Sequence, residues 1–425
     1  MRPSSFNQPT PWLATPISLL LVLLLSLGCQ TGSNDVTGAI DDNTNPSDGN
    51  TKPDDGNTNP GDDDKSAGDD DTGSGDGNVG SDDDDSGSDD DDSGSDDDDS
   101  GSDNNGSGTG DDDSAHTPVR FIAMGDTGEG NTAQYEVAAV IGTVCANQGC
   151  DFVILLGDNF YDIGVESVTD GQWDSKFEQP YADINLPFYP ALGNHDGGDD
   201  FLGGTGINVE QGDNQVDYTY AGSSPPPWGP GTTKWTLPSR WYHHNHANVD
   251  FYGLDTSQIF FDGLYIPFLT PDFGDLVDGQ RAWLNAQLAA SPATNWRIAY
   301  GHHPYLSNGP HGNAGMYEGL PFVPYANGEE IKDFFDANVC GNVDLYLCGH
   351  DHSRQWLTDT CDGTAFMVSG AGAKTTEIEG NNPVYFQDAD TEGFAWIEIV
   401  GDTMTVQWWD KTGAMNYEGI LQRGS

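Results

Sequence analysis

The sequence predicts an α/β fold in which two mixed sheets pack face to face with helices on their outer sides. Three observations carry this reading. Short apolar runs alternate with helical patterns between residues 119 and 348. Those runs show no polar–apolar alternation, the mark of strands in a sheet covered on both faces. Beyond residue 364 the apolar stretches alternate instead, as antiparallel strands with one wetter face do.

The elements follow in order. The first strand, Val119–Met124, runs into Gly125-Asp126. A helix over 132–147 places Val137, Val140, Ile141 and Val144 on one face. Phe152–Leu156 is a continuous apolar strand leading to Gly157-Asp158, and residues 187–192 are a third, leading to Gly193-Asn194-His195. Residues 203–238, rich in Gly, Pro and Asn, read as a long surface excursion. A strand over 248–254, an amphipathic helix over 281–290 (RAWLNAQLAA) and the strand Trp296–Tyr300 come next, the last ending in Gly301-His302. A helix over 329–337 precedes a strand over 343–348 that ends in Gly349-His350. Segments 364–369, 394–400 and 403–409 complete the second half as antiparallel strands, with Trp408 and Trp409 at core and edge.

Composition divides the chain of 425 residues into three parts. Residues 1–29 read as an export signal: Arg2, an apolar run from Ile17 to Leu27 too short to span a bilayer, then Gly28-Cys29. Residues 30–115 read as a disordered Asp/Gly/Ser-rich tether. Positions 34–115 hold 29 Asp and two Lys, and such a segment cannot bury enough apolar surface to offset its ordering entropy. Its heptad DDDDSGS runs three times from Asp82 to Ser102 without apolar a/d positions, so it is a self-repelling spacer rather than a coiled coil, spanning roughly 50 Å or more. Residues 116–425 carry nearly all the aromatics and read as one globular domain with 41 acidic and 11 basic residues. That acidity excludes nucleic acid as a partner, because phosphate backbones need a basic surface. Export permits disulfides: Cys145 and Cys150 close a short loop, Cys340 can reach Cys361, and Cys348 in a buried strand is expected to be a free thiol.

Chemistry gathers at the strand ends. Five segments, Gly-Asp126-Thr-Gly, Gly-Asp158-Asn159-Phe-Tyr161, Gly-Asn194-His195-Asp196, Gly-His302-His303-Pro and Gly-His350-Asp351-His352, each follow an apolar run. Parallel strands bring their carboxyl ends to one rim, where ligands bind. Carboxylates and imidazoles suit iron, zinc and manganese, and a phenolate suits ferric iron. A single Gly-Asp pair at a strand end is usually only a turn; five such segments in order point to two metal ions and a hydrolase. Other polar clusters take a plainer reading. His243, His244 and His246 are expected in a solvated turn, Arg240, Lys374 and Arg354 in ordinary surface pairs, and Asp196 as a residue that orients its neighbours.

The ordered set resembles the purple acid phosphatases, a branch of the calcineurin-like metallophosphoesterases, and is most similar to the small, tartrate-resistant type. The resemblance covers roughly residues 117–420 and includes GDNFYDIGV at 157–165 and YLCGHDHS at 346–353. Tyr161, together with Gly128 where most relatives have His, separates this branch from the rest. The resemblance implies a four-layer α/β/β/α sandwich. It implies a ferric iron held by Asp126, Asp158, Tyr161 and His352, and a second divalent ion (iron, zinc or manganese) held by Asp158, Asn194, His302 and His350. His195 and His311 would orient phosphate and protonate the leaving group, while a metal-activated hydroxide attacks phosphorus. Two departures stand out. Ala299 replaces the usual Val, which bears on packing, and His303 stands where the small enzymes have Tyr, which bears on substrate contacts. Gly- and Pro-rich residues 203–238 and 305–328 are expected at the mouth of the site. The resulting expectation is an exported acid phosphatase acting on phosphate monoesters, anchored to the membrane through a lipid on Cys29, with a monomeric catalytic domain. A phosphodiesterase or nucleotide phosphatase, and a surface lipoprotein that binds without turnover, are the alternatives.

Overall fold

The computed structural model describes residues 117–197, 209–221, 234–262, 273–317 and 327–423. The signal, Cys29, the Asp-rich segment and parts of both mouth segments lie outside them. The described residues form two mixed sheets. In the first, β1 (Val119–Met124), β2 (Phe152–Leu156) and β3 (Phe188–Ala191) run parallel, and β11 (Gly393–Val400), β12 (Thr403–Asp410) and β13 (Met415–Gln422) extend it antiparallel beyond β1. In the second, the order is β10 (Val384–Asp388), β8 (Arg354–Leu357), β9 (Ala365–Ser369), β7 (Leu345–Cys348), β6 (Trp296–Tyr300), β5 (Val249–Gly253) and β4 (Tyr242–His246).

The sheets face one another through apolar side chains. Phe121 and Phe152 of the first meet Phe251 of the second edge-on, with ring centroids 5.2 Å apart in both pairs. Helix α1 (Thr132–Gln148) covers the first sheet with Val137, Ile141 and Val144. Asn131 caps its first turn by accepting from the Gln134 amide, and Gly149 ends it at φ 85°. On the outer face of the second sheet lie α4 (Thr256–Asp262), α5 (Gly274–Ala290) and α6 (Glu329–Asn338), which bury Ile259, Leu284 and Phe335 against Tyr252 and Tyr346. Each fully buried side chain of this size contributes about 1.5–3 kcal/mol. The architecture is the expected one, helix, sheet, sheet, helix.

Several local expectations need correction. Segment 364–369 is not antiparallel to its neighbour in the sheet core: β9 pairs parallel with β7 and antiparallel only with β8, and all five of its residues are buried. Helix 281–290 begins earlier, at Gly274, because Val277 and Gln280 continue the buried face of Leu284 and Leu288 while Gly274 and Gly279 blur its pattern. The excursion at 203–238 contains a helix, α3 (Val209–Tyr220), after the short α2 (Asn194–Gly197). The histidines expected in a solvated turn lie instead on the edge strand β4. His244 is packed between Tyr189, at 3.9 Å, and Phe251, at 4.8 Å. Arg354 is fully buried rather than superficial, bonded to Asp388 and Asn416. The cysteines pair as Cys145–Cys150 and Cys340–Cys361, with Cys348 free and buried.

Candidate metal centre

The parallel strands β1, β2, β3, β6 and β7 deliver the five segments to one rim. Three of the delivered residues sit in the left-handed region: Asp126 at φ 58°, Asp158 at φ 52° and His350 at φ 71°. That conformation costs a side-chain-bearing residue about 1–2 kcal/mol, so the surroundings must hold it. They do. The Asp126 carboxylate accepts the His350 amide at 2.9 Å, and Asp158 accepts the His195 amide at 2.9 Å. Close approach also demands glycine before two of these residues. A Cβ on Gly349 would stand 2.5 Å from Asp126 Oδ2, and one on Gly157 would stand 2.6 Å from His302 Nδ1.

On one side, the Tyr161 hydroxyl is the focus. It lies 2.8 Å from Asp126 Oδ1, 2.7 Å from Asp158 Oδ2 and 3.3 Å from His352 Nε2. His352 Nε2 is also 3.4 Å from Asp126 Oδ1. On the other side the focus is His302. Its Nδ1 lies 2.9 Å from the Leu156 carbonyl, so that nitrogen donates there and Nε2 is the one turned to the site. Nε2 faces Asn194 Oδ1 at 2.9 Å, His350 Nδ1 at 3.0 Å and Asp158 Oδ2 at 3.3 Å. Asp158 thus touches both groups. The donor atoms of Asp126, Asp158 and His302 all lie within 4.8 Å of one another.

This arrangement has more lone pairs than protons. One phenol proton faces two carboxylates and an imidazole nitrogen, and three donor atoms converge on His302 Nε2. Cations are what such a donor set fits. The electrostatics agree. Burial, then the charges of Asp126 and Asp158, push the Tyr161 phenol well above its usual range. Burial opposes ionisation of Asp158, yet His302 and His195 outweigh it and hold that carboxyl well below the usual range. Burial likewise opposes charge on His302, but Asp158 lifts it to about 9. Asp126, Asp158, Tyr161 and His302 form the buried floor, while Asn194, His195, His311, His350 and His352 are partly open to solvent.

Around the floor stand the other expected residues. His195 places its ring 4.5 Å from that of Tyr161 and its Nδ1 2.6 Å from the Asp162 carbonyl. His311 stacks on His350 at 4.1 Å, and its amide donates to Asp351 at 2.9 Å. Asp196 touches none of the donor atoms named above. It accepts the amides of Asn159, Phe160 and Gly193, and so ties two of the segments together. Burial and the neighbouring Asp158 push its carboxyl up to about 7. His303 is buried between Phe260, on which it stacks at 5.3 Å, and His350, whose ring lies 4.6 Å away.

Two contributors escaped the sequence reading, and Lys374 does more than form the surface pair expected of it. Thr256 accepts the amides of both His302 (3.2 Å) and His303 (3.0 Å), so its own hydroxyl proton goes to His303 Nδ1 at 3.0 Å. Gln215, from inside the supposed excursion, braces Asp196 at 2.8 Å. Lys374 lies over the Tyr161 ring. Only Thr256 carried a signal, since Asp255-Thr256 also follows an apolar strand.

Comparison with known proteins gives the same picture. The calcineurin-like phosphoesterase family matches residues 119–354. The tartrate-resistant acid phosphatase type 5 of Oryctolagus cuniculus is 28% identical over 340 residues, covering 73% of this chain and 93% of that protein. Purple acid phosphatase 3 of Arabidopsis thaliana is 28% identical over 313 residues, covering 69% of this chain and 75% of that protein. Among solved structures, GAP50, the anchor in the inner membrane complex of Plasmodium, shares the fold with a TM-score of 0.53 at 22% identity, over 72% of this chain and 89% of that one.

Proposed function

Because the chain belongs to the calcineurin-like phosphoesterase family, we propose that it is an acid phosphatase that hydrolyses phosphate monoesters at a dinuclear Fe(III)–M(II) centre. The observation that carries this reading is the convergence of the Tyr161 hydroxyl on Asp126, Asp158 and His352. Asp126, Asp158, Tyr161 and His352 would hold ferric iron, and Asp158, Asn194, His302 and His350 a divalent iron, zinc or manganese. When bound, two cations would supply Lewis-acid chemistry that polarises phosphoryl oxygens and lowers the pKa of water. The remaining work belongs to the chain. The Leu156 carbonyl holds the His302 Nδ1–H and so presents Nε2 to a metal, and the stack with His311 fixes the His350 ring. His195 keeps its Nδ1–H on the Asp162 carbonyl, so it is the imidazolium form of the ring that gives its Nε2 proton to the departing alkoxide. His311, from the opposite side, orients the phosphate. Imidazoles are the side chains that exchange protons in mildly acid water.

We extend the proposal to the whole chain: residues 1–29 direct export, Cys29 takes a lipid, 30–115 act as a spacer, and 116–425 are a monomeric catalytic unit. Two disulfides suit an oxidising compartment. Among the described residues no helix is long and apolar enough to cross a membrane. Export and anchoring are tested by the mass of the mature N-terminal peptide in wild type and Cys29→Ser. The catalytic reading is tested by metal analysis, a visible spectrum and p-nitrophenyl phosphate hydrolysis at about pH 5–6. Protein without iron and without turnover would sink it, and a preference for bis(p-nitrophenyl) phosphate would replace monoester with diester.

A further inference from the structure

Lys374 holds its ammonium 3.2 Å from the centroid of the Tyr161 ring. In a domain with 41 acidic and 11 basic residues, a cation pressed on the face of that one phenol calls for a reason. Its placement is fixed from both sides. The Ala373 carbonyl accepts from the Asn131 side chain at 2.9 Å, and the Thr376 amide donates to the His352 carbonyl at 3.0 Å. One residue earlier, the Gly372 amide donates to the Gly125 carbonyl at 3.0 Å, beside Asp126. The loop that carries Lys374 is thus tied to the segments that carry Asp126 and His352. Glu129 grips the ammonium at 2.8 Å and keeps it from swinging into solvent. A second lysine, Lys176, donates to the Tyr161 carbonyl, so it braces the backbone of the same residue and leaves the ring to Lys374.

We propose that Lys374 is a positioning residue that tunes the phenolate of Tyr161 through its ring face. The inference rests on the reading of Tyr161 as an iron ligand and goes beyond it. A cation over an aromatic face is attracted by the ring's negative quadrupole, and more strongly when the ring carries phenolate charge. It therefore lowers the energy of the electron-rich ring. Charge transfer from phenolate to ferric iron removes electron density from that ring, so the ammonium raises the energy of the transition. Taking the ammonium away shifts the band to longer wavelength.

The experiment compares visible spectra and iron content of iron-loaded wild type, Lys374→Met and Lys374→Arg. Met keeps the length and apolar stem of the side chain, and Lys374 is partly exposed, so the fold tolerates the change. The expected result is a red shift of roughly 10–20 nm in Lys374→Met, the size a cation–π attraction of this kind supplies, with Lys374→Arg close to wild type. An unchanged band in Lys374→Met overturns the proposal, as does an equal shift in both variants. Loss of iron in Lys374→Met also overturns it, since the ammonium would then be holding the site together. Failure of the underlying reading looks different: iron-loaded wild type would itself show no such band.

Discussion

Asp158→Asn removes one negative charge from the floor of the site and leaves the shape intact. Asn is isosteric with Asp and is one of the few side chains that accept the left-handed φ of 52° found there. In metal-free protein the main consequence falls on His302, 3.3 Å away. Burial disfavours its charge, and Asp158 more than compensates, carrying it from the usual 6.5 to about 9. At ~1.4 kcal/mol per pH unit this is a net preference of roughly 3 kcal/mol for the imidazolium in the folded site, after the burial penalty. The sign follows from the raised value. Stability from this pair is fully present below about pH 6.5 and is lost as pH rises through about 9. Metal-stripped wild type should therefore lose roughly 3 kcal/mol more than Asp158→Asn does between about pH 6 and 9.5, because the variant leaves His302 buried and neutral throughout. Urea unfolding followed by tryptophan fluorescence, in chelator, at a series of pH values measures this. Parallel stability–pH curves for the two proteins would refute the coupling. In metal-loaded protein the same variant should lose both colour and phosphatase activity, since it weakens the one carboxylate that touches both groups of donors.

Four further outcomes are expected. Tyr161→Phe should abolish the visible band of the iron-loaded protein and lower activity by at least about 10-fold, read by absorption and steady-state kinetics. Asp196→Asn replaces one carboxylate oxygen by NH2, so either Gly193 or the pair Asn159 and Phe160 meets a donor in place of an acceptor, and should cost about 1–3 kcal/mol, with a fall in metal content. Opening either disulfide by Cys→Ser pairs should cost about 2–4 kcal/mol, more for Cys340–Cys361, which closes the longer loop. Under the same conditions Cys348, whose thiol burial pushes well above its usual range, should resist alkylation until the protein unfolds.

Much of the fold was legible because its information is local. Phe152–Leu156 is apolar throughout and is buried throughout, and Val137, Ile141 and Val144 recur at helical spacing and pack as a helix face. Edge and partner-dependent elements were not legible. β8 begins with Arg354 and Gln355, polar residues that are buried only because Asp388 and Ser307 come to meet them. β13 alternates weakly around Gly419 and lies at a sheet edge. The direction of β9 depends on which strand it pairs with, which no residue within it states.

The site divides along the same line. The sequence by itself determined which side chains stand at the rim, because each follows a Gly at the end of a buried strand, and strand ends are set by neighbouring residues. It also determined that His350 and His352 leave one turn. Only the tertiary structure decided which nitrogen each imidazole presents and that Lys374 rests on Tyr161. Those outcomes depend on contacts between residues far apart in the chain, such as Tyr161 with His352 and His302 with Leu156, and a contact of that kind exists only once two separately formed sheets have closed on each other.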